Sequence, residues 1–199
     1  MLSVEFKDFY RSWNRKAQKY GDQDLRQCFD KFFTLFVIYN RLYAEATFLL
    51  VRWGIVRLER RGLLGRINTF PDSRAAKDYI RTYLRNRNLI DQLEGDIQSN
   101  EAIRTVCRLI EDEEFYIKLD VMSGNRLREE DLRLLNSLRS PNEAVKARAI
   151  LDFLYSIRCN MFHGHKGFNE IQVEILRPAI IILQKIVRLL WEKLSGDDD

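Results

Sequence analysis

Both histidines of the chain fall in one short stretch, Leu154-Tyr-Ser-Ile-Arg-Cys-Asn-Met-Phe-His-Gly-His-Lys-Gly-Phe168. Imidazole is the side chain best suited to moving protons near neutral pH, so acid–base chemistry is sought here first. Arg158 stands five residues before His163, and Asn160 stands between them. A guanidinium presents a planar fork of donors that matches a phosphate. Together these groups offer proton transfer and charge stabilisation at a phosphate. The segment holds no carboxylate cluster of the kind that Mg²⁺ or Mn²⁺ usually requires. His-Gly-His has no Cys or carboxylate at a supporting spacing, so no metal and no cofactor are expected.

These residues need a helix to place them. Ser140-Pro141-Asn142-Glu143 supplies an N-cap serine, proline at the first helical position and glutamate at the third. The helix is predicted to reach about Phe162 and to stop at Gly164. At about 100° per residue, Arg158 falls within roughly 60° of Ala147, Leu151, Leu154 and Met161. A guanidinium in register with an apolar stripe needs a carboxylate, a backbone cluster or an anionic ligand. Glu174 is the candidate for a purely structural pair. His163 projects roughly 140° from Arg158 on an ideal helix. The two converge only if the helix end unwinds towards Gly164, or if they meet across a subunit interface.

The rest of the chain also reads as helix. A first helix is predicted over Val4 to Tyr20, closed by Gly21. A long second one, capped by Asp22 or Asp24, runs towards Arg61 with a bend at Gly54. Gly62 to Asp72 reads as a loop, followed by helices from Ser73 to about Leu93 and from Ser99 to about Leu119. The acidic run Glu111 to Glu114 reads as a solvated face. A turn at Ser123-Gly124-Asn125 leads to a short helix near Glu129 to Leu138. The last helix, capped by Asn169 with Gln172 in the capping-box place, keeps Leu176, Ile180, Leu183, Val187, Leu190 and Leu194 at helical spacing, with Pro178 as a possible kink. Residues 1–199 form a single all-helical domain: about 1–70 supply N-terminal helices, and about 73–195 carry the motif.

Composition agrees with long helices, since three prolines and nine glycines in 199 residues are too few for the turns of an all-β fold. A net charge of +4, carried by 23 Arg against 10 Lys, permits a nucleic-acid partner without demanding one. Cys28, Cys107 and Cys159 are odd in number and in no ligand spacing. With no signal-peptide pattern, a reducing cytoplasm is the expected compartment. Phe32 to Val51 is apolar enough to raise a membrane span, but Arg41 and Glu45 at i,i+4 favour a core helix and no membrane contact.

Arg158-Cys-Asn-Met-Phe-His163, near the end of the penultimate long helix, resembles the signature of HEPN domains. These are helical bundles carrying Arg, four to six residues, then His, often with a polar residue just after the Arg. Here Cys159 takes that place and the polar Asn160 follows. The resemblance implies an all-α, HEPN-like helical bundle with additional N-terminal helices. It also implies a metal-independent endoribonuclease whose two protomers form one composite site. Specific motif support covers about Tyr155 to Lys166. The chemistry agrees independently: cleavage through the 2′-OH of RNA needs a base, an acid and cations around the phosphate. One His163 cannot be both base and acid, whereas a twofold homodimer brings two His163 and two Arg158.

The expected catalytic set is therefore Arg158, His163 and Asn160, with His165, Lys166 and Tyr155 as contacts to RNA. For His165 and Lys166 the alternative is an exposed turn, for Tyr155 core packing, and for Cys159 a small buried filler. No Gly-rich phosphate loop and no nucleophile in a recognisable setting offers a rival chemistry. A toxin or defence role with a cognate antitoxin or regulatory protein follows from the resemblance. Two alternatives stay open: a catalytically inactive HEPN module binding RNA, nucleotide or protein, and a structural helical adaptor.

Overall fold

Short polar side chains start the first two helices. Ser3 accepts the Phe6 amide at 3.2 Å to open α1 (Val4–Gln18), and Asp24 accepts the Gln27 amide at 2.9 Å to open α2 (Leu25–Arg52). The computed structural model describes residues 2–61, 67–120, 122–163 and 172–196, and the backbone alone at 59–61, 67, 68, 162 and 163. α2 ends earlier than the expected position near Arg61. Ile55 N–H reaches the Leu50 carbonyl and Gly54 N–H the Val51 carbonyl, with Gly54 at φ +71°. That is a Schellman closure, so Gly54 terminates the helix instead of bending it. A small antiparallel hairpin follows, β1 (Glu59–Arg61) paired with β2 (Ile67–Thr69), where a plain loop is predicted.

The single helix expected from Ser73 to Leu93 is divided. α3 (Asp72–Arg74) passes through a π-helical turn, Ala75–Tyr79, into α4 (Ile80–Leu84). Ala75 and Ala76 are fully buried, which lets this segment approach α2 closely, and Tyr39 of α2 donates its hydroxyl to the Ala76 carbonyl. A widened turn leaves carbonyls in need of such a donor. The chain then breaks at Arg85, whose φ of 67° lies in the left-handed region, and α5 (Asn86–Glu94) sets off in a new direction.

α6 (Ile97–Glu111) is capped by Asp96, not Ser99, and stops well before Leu119. Glu113, at φ 58°, turns the chain out of the helix. Arg128 donates to the carbonyls of Ile110 and Glu111, satisfying the helix end. The acidic run is thus a helix terminus held by arginines: Glu111 pairs with Arg139, Glu113 with Arg128 and Glu114 with Arg108. α7 (Arg128–Leu138), α8 (Glu143–His163) and α9 (Gln172–Gly196) complete the order. Pro178 sits inside α9 without interrupting it. Asn169 lies outside the described residues.

The fold is all-α. α9 packs mainly on α2 and α6, α1 covers α2, and α8 rests on α5, α7 and the π-helical segment. One hydrophobic core runs through these elements, from Leu2 and Phe6 to Leu190 and Leu194. Tyr10 of α1 stacks on Trp191 of α9 at 3.8 Å. By length and composition α2 could cross a membrane, but 56% of that stretch is buried inside the fold.

Among the described residues, Asp131 is the fully buried acid of this core. Its carboxylate accepts the amides of Ile117 (3.1 Å) and Lys118 (2.8 Å), holding an extended segment against α7. Asp131→Ala leaves both donors without that acceptor, and urea denaturation should read a loss of about 2–3 kcal/mol.

Candidate functional site

α8 begins one cap later than the Ser140 start predicted from sequence. Asn142 Oδ1 accepts the amides of Ala144 (2.9 Å) and Val145 (3.2 Å), while Ser140 supports the turn by accepting the Asn142 amide. From there the helix carries one polar side of its surface into the protein. Asp152, Tyr155, Ser156, Arg158, Cys159 and Asn160 are all half-buried, and their partners come from distant parts of the chain.

Asp152 receives two ammonium groups, from Lys118 and from Lys77 at 3.2 Å. Lys118 also donates to Ser156 at 2.9 Å. Burial pushes the Asp152 carboxyl up, but the two lysines outweigh it and hold the group below the usual carboxylate range. Asp152 is therefore a paired carboxylate and not a general acid.

One turn on, the Tyr155 hydroxyl donates to Asp72 at 3.0 Å, and Tyr43 of α2 donates to the other oxygen of the same carboxylate. Burial, reinforced by the hydrogen bond and charge of Asp72, pushes the Tyr155 phenol up to about 12. Its ring lies beside Phe36, with the Lys77 ammonium 5.3 Å and the Arg158 guanidinium 5.6 Å from its centroid.

Arg158 also lies 5.9 Å from the Phe36 ring and donates to Cys159 Sγ at 3.9 Å. Burial works against its charge, but Cys159, Tyr155 and Asp72 offset it and the net shift is upward. The guanidinium thus stays charged on an aromatic bed. Glu174, the structural partner considered from sequence, pairs instead with Arg177 on its own helix. Cys159 is half-buried beside Arg158, not the buried filler expected.

Asn160 is half-buried and bonded within the fold. Its amide Nδ2 donates to the Ile117 carbonyl at 2.8 Å, tying α8 to the segment that Asp131 grips from the other side. Tyr155, the expected stacking residue, is half-buried and has its hydroxyl engaged by Asp72. His163 is the last residue of α8. Its side chain, together with His165 and Lys166, lies outside the described residues. α8 stays helical through His163, so Arg158 and His163 remain about 140° apart around the axis. Unwinding within α8 does not bring them together.

Asp72, Lys77 and Lys118 are absent from the set named from sequence. Only Asp152 had a local signal: an acid one turn before Tyr155 and Ser156 on a mostly apolar helix. Among the described residues, no three His, Cys, Asp or Glu side chains gather as a metal-ligand set. In comparisons with known proteins, no family model, curated protein or solved structure matches the chain.

The Asp72 contact has a measurable consequence. In Asp72→Asn the Tyr155 phenol, pushed up to about 12 in the intact site, should titrate lower than in the wild-type protein, as read by near-ultraviolet absorbance with Tyr155→Phe as the blank. A raised phenol pKa stabilises the fold fully below the ordinary tyrosine value, and that stability is lost as pH rises through about 12. Stability in Tyr155→Phe should therefore fall less over that alkaline window.

Proposed function

We propose that this protein is a metal-independent endoribonuclease of the HEPN type, acting as a homodimer on single-stranded or looped RNA. The observation that carries this reading is the register of α8. Arg158 and His163 lie on different sides of an unbroken helix, which supports a site drawn from two chains. The surroundings of Arg158 add support, because its charge is retained on the rings of Phe36 and Tyr155.

In this reaction the His163 imidazole of one protomer takes the proton from the substrate 2′-OH. The 2′-oxygen attacks phosphorus, and the bond to the 5′-oxygen breaks as the second His163 protonates that oxygen. The two Arg158 side chains hold the charge that develops on the phosphate. The products are a 2′,3′-cyclic phosphate and a free 5′-hydroxyl. Asn160 acts as a positioning residue through Ile117, and His165 and Lys166 belong to the RNA contacts. A toxin or defence effector controlled by an antitoxin is the corresponding cellular role.

A second reading, an inactive HEPN module that binds RNA, nucleotide or protein, draws on Asn160. Its amide is already committed to the Ile117 carbonyl.

Purified protein in EDTA decides between them. The nuclease should cut RNA in chelator, leave cyclic phosphate ends and spare a DNA of the same sequence, which lacks the attacking hydroxyl. His163→Ala and Arg158→Ala should each lose cleavage with the helical circular dichroism retained. Wild-type rates in both variants, or activity lost on chelation, would exclude the mechanism.

The same reading requires a twofold dimer in solution with α8 facing its copy. Light scattering should give twice the chain mass. Co-expressed His163→Ala and Arg158→Ala chains should show activity that departs from the mean of the two single variants. A monomer that cuts RNA at full rate would overturn the composite site.

A further inference from the structure

Two clefts lie side by side on the face formed by the Asp72 end of α3, the π-helical segment and α8. The first, of about 450 Å³, is lined by Phe70, Asp72, Arg74, Lys77 and Arg148 among others. The second, of about 410 Å³, includes Arg81, Lys118, Arg133, Arg148 and Asp152. Arg148 lines both and joins them. The pair is lined by six cations and four carboxylates, a net excess of two positive charges.

The six cations divide by exposure. Lys77, Lys118 and Arg81 are mostly covered, and they hold Asp152 and Asp78 as structural pairs. Arg74, Arg148 and Arg133 reach solvent. Arg148 pairs with Asp78 at 3.6 Å, and Arg133 pairs with exposed glutamates one turn away. Such surface pairs contribute little and exchange readily for a phosphate. The row Arg74, Arg148, Arg133 therefore spans both clefts.

Beside it stands an aromatic face. Phe70, 37% exposed, lines the first cleft, stacks on Tyr43 at 6.2 Å and meets the exposed Phe48 at 5.9 Å. An exposed ring backed by two others is a rigid platform next to a cationic row. That pairing suits a strand with charged phosphates and unpaired bases.

We propose that the two clefts joined at Arg148 form one track for single-stranded RNA, with phosphates on Arg74, Arg148 and Arg133 and a base stacked on Phe70. The track rests on the endoribonuclease reading, and its first cleft borders Tyr155 through Lys77. Lys77 lines the first cleft and lies over the same ring that Arg158 borders. A duplex binds worse, because its bases are already stacked and cannot reach Phe70.

The test uses full-length protein with His163→Ala, so that RNA is bound and not cut, and fluorescence anisotropy of a short labelled oligouridylate. Adding Arg148→Ala or Arg133→Ala should weaken binding several-fold and reduce the slope of log K against log salt by about 0.7 each. Phe70→Leu keeps apolar bulk without a stacking face. It should weaken binding at least about fivefold with the salt slope unchanged, and leave binding of an abasic strand as it was. Parental affinity in the arginine variants overturns the track, as does equal binding of duplex RNA. Tight binding of polyglutamate that needs Arg148 but not Phe70 overturns it in favour of an acidic protein partner. Cleavage by the wild-type protein is read separately. If it cuts RNA while the track variants bind like the parent, the track falls and the nuclease stands. If it does not cut but the track variants lose binding as stated, the track stands and the nuclease falls.

Discussion

The Asp72 carboxylate takes one hydroxyl from α2, through Tyr43, and one from α8, through Tyr155. Neither phenol sits in open water, and a buried hydroxyl without a partner costs about 1–3 kcal/mol. A single acid at the mouth of α3 therefore satisfies two helices at once. The π-helical turn brings Lys77 towards Asp152 and Tyr155, and lets Tyr39 reach the Ala76 carbonyl. This junction ties α8 to α2.

The opposite side of α8 is held in a comparable way. The short extended segment bridges to Arg126 beyond Ile117, and at Ile117 itself side chains satisfy the backbone. Asp131 of α7 accepts the Ile117 and Lys118 amides, and Asn160 of α8 donates to the Ile117 carbonyl. Lys118 then extends to Asp152 and Ser156. One residue, Ile117, thus has its N–H bound by one helix and its C=O by another. Backbone polar groups taken from water must be paired somewhere, and here the pairing joins α7 to α8.

For the proposed chemistry, the consequence is that Arg158 sits on a helix tied to remote segments on both sides. Its neighbours Tyr155 and Asn160 are each tied to a remote segment, and the guanidinium lies across two rings. A cation held in place before substrate arrives needs little reorganisation as charge develops on a phosphate. The helical register of α8 keeps Arg158 and His163 apart within one chain, which is why the reading calls on a second protomer.

How much was legible beforehand differs from element to element. The all-α class, the span of α7, the approximate span of α8 and the amphipathic stripe of α9 follow from local rules: periodicity, few breakers, and polar starts. These are properties of neighbouring residues, so the linear order contains them. Helix ends were less legible. Gly54 and Glu113 stop helices through left-handed closures, and the break at Arg85 has no breaker residue to announce it. The motif itself, Arg158 to His163, is written in the order of the residues, as is the need of a half-buried guanidinium for partners. Which partners the polar side of α8 meets is not. Asp72, Lys77 and Lys118 lie between 40 and 86 positions before Arg158 along the chain, and only packing brings them to α8. The sequence determined a helical protein with one concentrated set of chemically capable side chains. The tertiary structure alone decided that Asn160 and Tyr155 serve as ties, because a buried amide or phenol bonds to whatever donor or acceptor the fold places beside it.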